Sequence, residues 1–313
     1  MSGRFNRGPV VARPVSTSRE RHLAELGIVA VALVWGSNFI VVKALIDFIP
    51  PIGLSAMRFL LAAAVLLVVL RIREGSVRVP LRDFIPMAAL GVIGFGAYQM
   101  LWTLGLVSIA AGDSALIIAA TPVLTALLAV VAGSDTLTPP KLTGAIVSFV
   151  GVAIVVAGDG LFLGASLVGD LLTLAGALCW AIYTAFGAPI LRRHSPLRTT
   201  AWTMTAGAVF LAVPGSVDLA GVNWSTITPL IWVAFLYSSL QTSLANVIVF
   251  HGVKLLGPTR VTAYQFLIPF FAVVLAAFFL AEAIRPAQIL GGIVIVAGIL
   301  VTRSGGSGGR WPR

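Results

Sequence analysis

TPVLTALLAVVAGSDTLTPPKLTGAIVSFVGV occupies residues 121–152, and 147 residues later the chain reads IPFFAVVLAAFFLAEAIRPAQILGGIVIVAGI at 268–299. The two stretches align without a gap. Pro122 falls on Pro269, Asp135 on Glu282, Gly144 on Gly291 and Gly151 on Gly298; upstream, Gly105 falls on Gly252. Apolar matches alone mean little in a hydrophobic chain. A proline, an acidic residue and three glycines in register mark an internal repeat. A shift of 145 also sets Trp35 on Trp180, near the start of each half.

The repeat sits in a membrane protein. Of the 313 residues, 58% are hydrophobic and 10% are charged, and the mean hydropathy is +1.03. A soluble domain carries roughly 25% charged residues, so this chain lacks the polar surface of a water-soluble globule. A spanning helix needs about 20 apolar residues. Ten such segments are predicted, at about 24–46, 51–70, 84–108, 112–133, 142–157, 168–191, 199–217, 227–251, 259–280 and 286–302. Long unbroken apolar runs exclude a β-barrel, whose strands alternate. The expected class is an all-α integral membrane protein with ten transmembrane helices.

Ten spans divide into two units of five. Because five is odd, the second unit enters the bilayer from the opposite side. Inverted repeats of this kind build carriers with a solute site near the midplane, between the halves. The predicted organisation is a disordered tail at 1–23, one repeat at 24–157, its inverted copy at 168–302 and a disordered tail at 303–313. The first apolar run is long enough to span and reads as an uncleaved helix.

The net charge of +10 is a topology signal. With a cytoplasmic N-terminus, 18 of the 21 Lys and Arg residues fall on the inner side, as the positive-inside rule requires. Arg285 alone falls outside, and Lys43 and Arg58 lie within spans. This places both termini in the cytoplasm and the protein in the inner membrane. It removes the reason to invoke nucleic acid. Cys179 is the single cysteine, so no intrachain disulfide forms.

These motifs resemble the EamA type of the drug/metabolite transporter superfamily over about residues 24–302. The likeness is carried by WGSNFIVVK at 35–43, the RFLLAAAVLL stretch from Arg58, LCWAIYTAF at 178–186 and the two long repeats quoted above. Asp135 stands where the family usually has Glu. The resemblance implies ten helices around a central cavity and export of small metabolites or drugs. It is similar to amino-acid and toxic-cation exporters.

Candidate solute-binding residues are the polar and aromatic groups that an apolar span does not need. Trp35 and Asn38 share one helical face. A buried amide is costly unless bonded. Either Asn38 faces a wet cavity with Trp35 as its wall, or it bonds a neighbouring helix. All four tyrosines, Tyr98, Tyr183, Tyr237 and Tyr264, lie within spans. Tyr98 with Trp102, Tyr237 with Gln241, and Tyr264 with Gln265 form local pairs, and Trp180 and Tyr183 stand three apart. Interfacial belts account for Trp202, Trp224 and Trp232 but not for Trp35, Trp102 and Trp180. Such a cavity suits flat, aromatic or cationic solutes.

Lys43 either snorkels and pairs with Asp47 or offers charge to an anionic solute. Arg58 lies deep in the second span and needs a partner; helix-end carbonyls or Asp47 would serve, as would a solute carboxylate. Pro122 and Pro269 interrupt their helices and are candidate hinges. Proton coupling needs an accessible titratable group, and Glu25, Asp113, Glu282 and His251 are the candidates, each near a span end. Uniport or exchange fits equally. Gly144, Gly151, Gly291 and Gly298 permit close helix packing, within a monomer or across a homodimer.

No HExxH, GxSxG, P-loop or cysteine cluster occurs, so catalytic machinery, metal and cofactor are not expected. The predicted function is a transporter exporting small organic metabolites, amino acids foremost, by alternating access. Its partners are a small-molecule solute and the lipid bilayer. Drug-like organic cations are the alternative. A lipid-modifying membrane enzyme would need a carboxylate or His cluster that is missing. A channel would not need matched prolines in an inverted repeat.

Overall fold

The structure is a computed structural model, and it describes residues 18–133, 136–158, 165–256, 261 and 264–304. Asp135 and the side chain of His251 lie outside the described residues, as do 1–17 and 305–313 of the two tails.

Ten long helices run through the described residues. They are α1 Ser18–Leu45, α2 Pro51–Glu74, α3 Leu81–Ser108, α4 Ala111–Val131, α5 Pro139–Ala157, α6 Ala165–Phe186, α7 Pro196–Ala220, α8 Pro229–Leu256, α9 Leu267–Phe279 and α10 Pro286–Ser304. Each matches a predicted span. Residues 18–23, assigned to the tail from their polarity, are instead the first turns of α1, and 303–304 end α10.

The helix ends follow simple rules. Five helices start on a proline, whose missing N–H costs nothing in the first turn. Gly75 closes α2 at φ 70°, a left-handed conformation that glycine adopts without strain.

Two helices are interrupted where the prolines predict. In α4, helix stops at Ile118 and restarts at Thr121, directly before Pro122. In the second half a turn at residues 265–266 precedes α9, with Pro269 in its first turn. The break thus recurs in both repeats, at nearly the same register.

Helix partners obey an inverted two-fold. The pairs α2–α7 and α5–α10 each join a helix to its own counterpart. α1 packs on α8 and α9 of the other half, and α6 packs reciprocally on α3 and α4. Each leading helix has therefore crossed into the opposite repeat. The two halves form one interlocked body.

Glycine allows the tightest of these contacts. A Cβ on Gly144 would stand 2.4 Å from Thr302 N and 2.5 Å from Gly298 O; one on Gly298 would stand 2.6 Å from Gly144 O. Gly151 meets Gly291 in the same way, at 2.8 Å from its oxygen. In lipid, such close backbone packing replaces the hydrophobic drive that joins helices in water. The four glycines are used within the chain, between α5 and α10.

α3 holds one irregularity that the sequence did not suggest. Residues Val92–Ala97 form a π-helical segment. Gly91, Gly94 and Gly96 lie here, against Thr203, Tyr183 and Phe210 respectively. The wider turn shifts the register of Tyr98 and Gln99, and π segments are frequent at functional sites.

Candidate functional site

Asn38 joins the two halves. Its Oδ1 accepts a hydrogen bond from Ser238 Oγ of α8 at 2.6 Å and another from Arg58 Nη2 of α2 at 3.3 Å. Arg58 is 1% exposed. Its Nε and Nη1 have no hydrogen-bond partner among the described residues. The guanidinium carbon stands 5.8 Å from the Phe59 ring centroid. Arg58 thus meets neither Asp47 nor helix-end carbonyls, the partners expected from sequence. It points its charge at the core, beside an amide on the neighbouring helix.

Two flanking contacts fix the level of this cluster. Ser55 Oγ and Thr103 Oγ1, 3.2 Å apart, tie α2 to α3 on one side. Ser243 Oγ donates to Ala62 O at 3.0 Å on the other, tying α8 to α2. Gln99 lies one turn along α3 from Thr103 and Gln241 two residues along α8 from Ser243, which sets both between the two ties, at about the depth of Arg58. Both are buried, and the Oε1 of each lacks a partner. Gln241 Nε2 is engaged, with Ser238 O at 3.3 Å and Thr242 Oγ1 at 3.2 Å. The cluster therefore contains free charged donors and free carbonyl acceptors in one buried layer. Each unpaired buried group costs roughly 1–3 kcal/mol, which a ligand bearing both chemistries would recover.

An aromatic band runs beside the cluster. Tyr98 lies within electrostatic reach of Arg58, stacks on Trp102 at 6.3 Å and meets Trp180 at a tilt, at 5.5 Å. Trp180 meets Tyr183 at 5.2 Å, and Phe95 touches both. Tyr183 Oη and Thr203 Oγ1 are 3.3 Å apart. Trp102 is packed into the core; its indole N–H donates to Ser114 Oγ at 3.0 Å and its ring meets Phe39 at 5.3 Å.

The remaining candidates lie apart from this layer. Trp35 is half-buried on α1, one turn before Asn38. Tyr237 is exposed, with its hydroxyl 2.6 Å from Ser37 Oγ. Tyr264 and Gln265 are half-buried at the break before α9, just ahead of the place where Gly36 of α1 abuts Ile268. The structure thus joins Asn38 to Arg58 directly and to Gln241 by way of Ser238, sets Tyr98 near Arg58, and links Tyr98 to Trp102 and, through Trp180, to Tyr183. Gln99 and Ser238 were not singled out from sequence. Gln99 carried a usable signal, an amide in an apolar span beside Tyr98. Ser238 carried none, since serine is common in membrane helices.

Lys43 has a different task from those expected. Its ammonium donates to Leu106 O, Val107 O and Ile109 O at 2.6, 3.2 and 3.0 Å. Those are the orphan carbonyls at the C-terminus of α3, where a cation also suits the helix dipole. An ammonium has three donors, and all three are used.

On the same face of the bundle a clasp joins the halves. Glu282 accepts from the amides of Ala111 at 2.9 Å and Gly112 at 3.2 Å, capping α4. Asp113 binds Arg285 and accepts from Gln288 Nε2 at 2.9 Å. On the opposite face Glu74 pairs with Arg198 at 3.0 Å, and Asp83 pairs with Arg193 and His194, each at 3.0 Å. Two apolar grooves, of about 390 Å³ along α2 and α8 and about 280 Å³ along α4, α5 and α6, lie away from the Arg58 layer.

Comparison with known proteins agrees with this architecture. Residues 22–157 and 167–304 each match the model of the EamA-like transporter family. The chain is 30% identical to a Bacillus subtilis transporter, YyaM, over 86% of this chain and 90% of that one. It is 29% identical to a probable terminal-alkyne amino-acid exporter of Streptantibioticus cattleyicolor, over 88% and 91%. It is 27% identical to a probable amino-acid metabolite efflux pump of Salmonella typhimurium, over 87% and 91%. A crystal structure with 22% identity superposes with a TM-score of 0.62 over 90% of this chain, a likeness of fold. With both interlocked halves matched by that model, the chain belongs to the EamA-like transporter family.

Proposed function

We propose that this protein exports amino acids or closely related zwitterionic metabolites by alternating access, with Arg58 as the anchor for the carboxylate. The observation that carries the reading is the buried Arg58 guanidinium, with two nitrogens that have no partner among the described residues, at about the membrane depth of two buried glutamine oxygens that also have none. A guanidinium binds a carboxylate through paired, charge-assisted hydrogen bonds. Gln99 Oε1 and Gln241 Oε1 would accept from the ammonium group. Tyr98 and Trp180 would offer ring faces to it.

The layer suits a carrier because Asn38 and Ser238 span the interface between repeats. Rocking one repeat against the other would open the layer to either side. Pro122 and Pro269 stand at the helix breaks where such bending is easiest. The positive-inside pattern puts both termini, and the Glu74 and Asp83 pairs, in the cytoplasm. The two relatives named for amino-acid or metabolite export support the solute class. Arg58 argues against a drug-like cation, which would meet an uncompensated positive charge.

Counterflow in proteoliposomes tests the proposal. Vesicles preloaded with unlabelled amino acid should transiently accumulate the labelled one, with saturation. The corresponding amines, which lack the carboxylate, should not be carried. Equal transport of amines and amino acids would overturn the assignment of Arg58.

A further inference from the structure

Asp170 is a polar group of the helices that solute binding leaves unused. It lies near the start of α6, is 3% exposed, and neither carboxylate oxygen has a hydrogen-bond partner among the described residues. One turn on, the Thr173 hydroxyl is fully buried and also unpartnered. α3 and α6 touch beside it. A Cβ on Gly105 of α3 would stand 2.6 Å from Gly169 O, and one on Gly169 would stand 2.7 Å from Ile109 Cγ2. The two helices are in backbone contact directly beside Asp170.

The surrounding charges are already committed. α6 packs on α3 and α4 and on the short turn Ala188–Leu191. On α4 the group within reach is Asp113, a second acid, which is held by Arg285 and Gln288. The first amides of α4 hold Glu282. On α3 the C-terminal carbonyls hold Lys43, while Tyr98 lies deeper and Asp83 lies at the far end, paired with Arg193 and His194. On α6 itself Cys179 and Tyr183 lie further along, and the turn Ala188–Leu191 bears no titratable side chain. Each positive feature near Asp170 is thus occupied while the clasp is shut. An ionised carboxylate with no partner is costly to bury, and a neutral acid avoids most of that cost.

We propose that Asp170 is a proton-binding site tied to the clasp: closing Glu282 and Arg285 over α4 drives uptake of one proton from the aqueous phase by the Asp170 carboxylate, and opening releases it. Withdrawal of the α9–α10 connection frees the α4 amides and Arg285, admits water and favours the anion. Linkage makes the effect reciprocal, so acid on that face favours the shut clasp. This rests on the carrier reading only in taking the clasp to open, and not on which solute is carried.

Infrared spectroscopy of the full-length protein in lipid, with no solute present, tests it directly. At neutral pH the wild type should show the carbonyl band of a water-shielded, protonated carboxylic acid. Asp170→Asn should lose that band, Asp170→Glu should move it, and Glu282→Ala, which frees the α4 amides while leaving Arg285 on Asp113, should diminish it. A wild-type spectrum without the band at neutral pH overturns the proposal, whether or not any variant folds. So does a band that Asp170→Glu leaves in place. Because no solute is involved, failure here is distinct from failure of the amino-acid reading.

Discussion

Arg58 and Asn38, on α2 and α1, meet at 3.3 Å, and 145 residues later Thr203 and Tyr183 occupy the same two places and also meet at 3.3 Å. The inverted repeat has kept the contact and changed its chemistry. One copy is an amide with a cation, the other a phenol with a hydroxyl. The charge is confined to the first half, so the layer is polar in a defined direction. A zwitterion would lie with its carboxylate toward α2.

Arg58→Ala should raise the counterflow KM for amino acids about ten- to hundredfold. A hydrogen bond to a charged group is worth roughly 1.5–3 kcal/mol, and about 1.4 kcal/mol is tenfold in affinity. Arg58→Lys keeps the charge but loses the planar fork, so its KM should fall between the two. The variant series is measured in the same vesicles, with the amount of inserted protein as control. Unchanged KM in Arg58→Ala would remove Arg58 from the solute site.

Lys43→Met should lower the thermal unfolding temperature and leave KM unchanged. The substitution orphans three carbonyls at the end of α3, and leaving one buried acceptor unmet costs roughly 1–3 kcal/mol. A KM effect with no loss of stability would instead return Lys43 to the solute pathway.

Ala281→Gly should stabilise the protein. Ala281 sits at φ 54°, directly before Glu282, and a left-handed residue with a Cβ costs roughly 1–2 kcal/mol. The greater freedom of glycine in the unfolded chain takes back part of that gain. A modest rise in unfolding temperature is expected, with the α4 cap intact. A fall would mean that the alanine methyl group makes a contact worth more than the strain.

Gly144→Val should destabilise the single chain. Its side chain would enter space held by Thr302 and Gly298, and overpacking costs roughly 1–3 kcal/mol. Size-exclusion profiles should keep the same mass while the unfolding temperature falls. A change in mass without loss of stability would show that this face meets a second copy.

The sequence was most informative where its signal is local or periodic. Apolar runs delimit spans because a bilayer demands about 20 such residues, and all ten helices lie where those runs do. The repeat also carried information, since matched prolines and glycines marked the helix breaks and the α5–α10 contact. The expectations that changed concern partners. Asp47 was the nearest opposite charge to Lys43 along the chain, yet Lys43 reaches carbonyls more than 60 residues away. Asp170 drew no notice, because an acid near a span end ordinarily reaches water.

Sequence alone therefore determined the class, the number of helices and the inverted halves. Those properties follow from hydropathy and parity summed along the chain. Tertiary structure decided which side chains lack partners. Arg58 is joined through Asn38 to Ser238 only because α1 crosses to pack on α8, and Asp170 is buried where Gly105 and Gly169 let α3 and α6 touch. Whether a buried polar atom is satisfied depends on neighbours up to 200 residues distant, and packing alone brings them within bonding range.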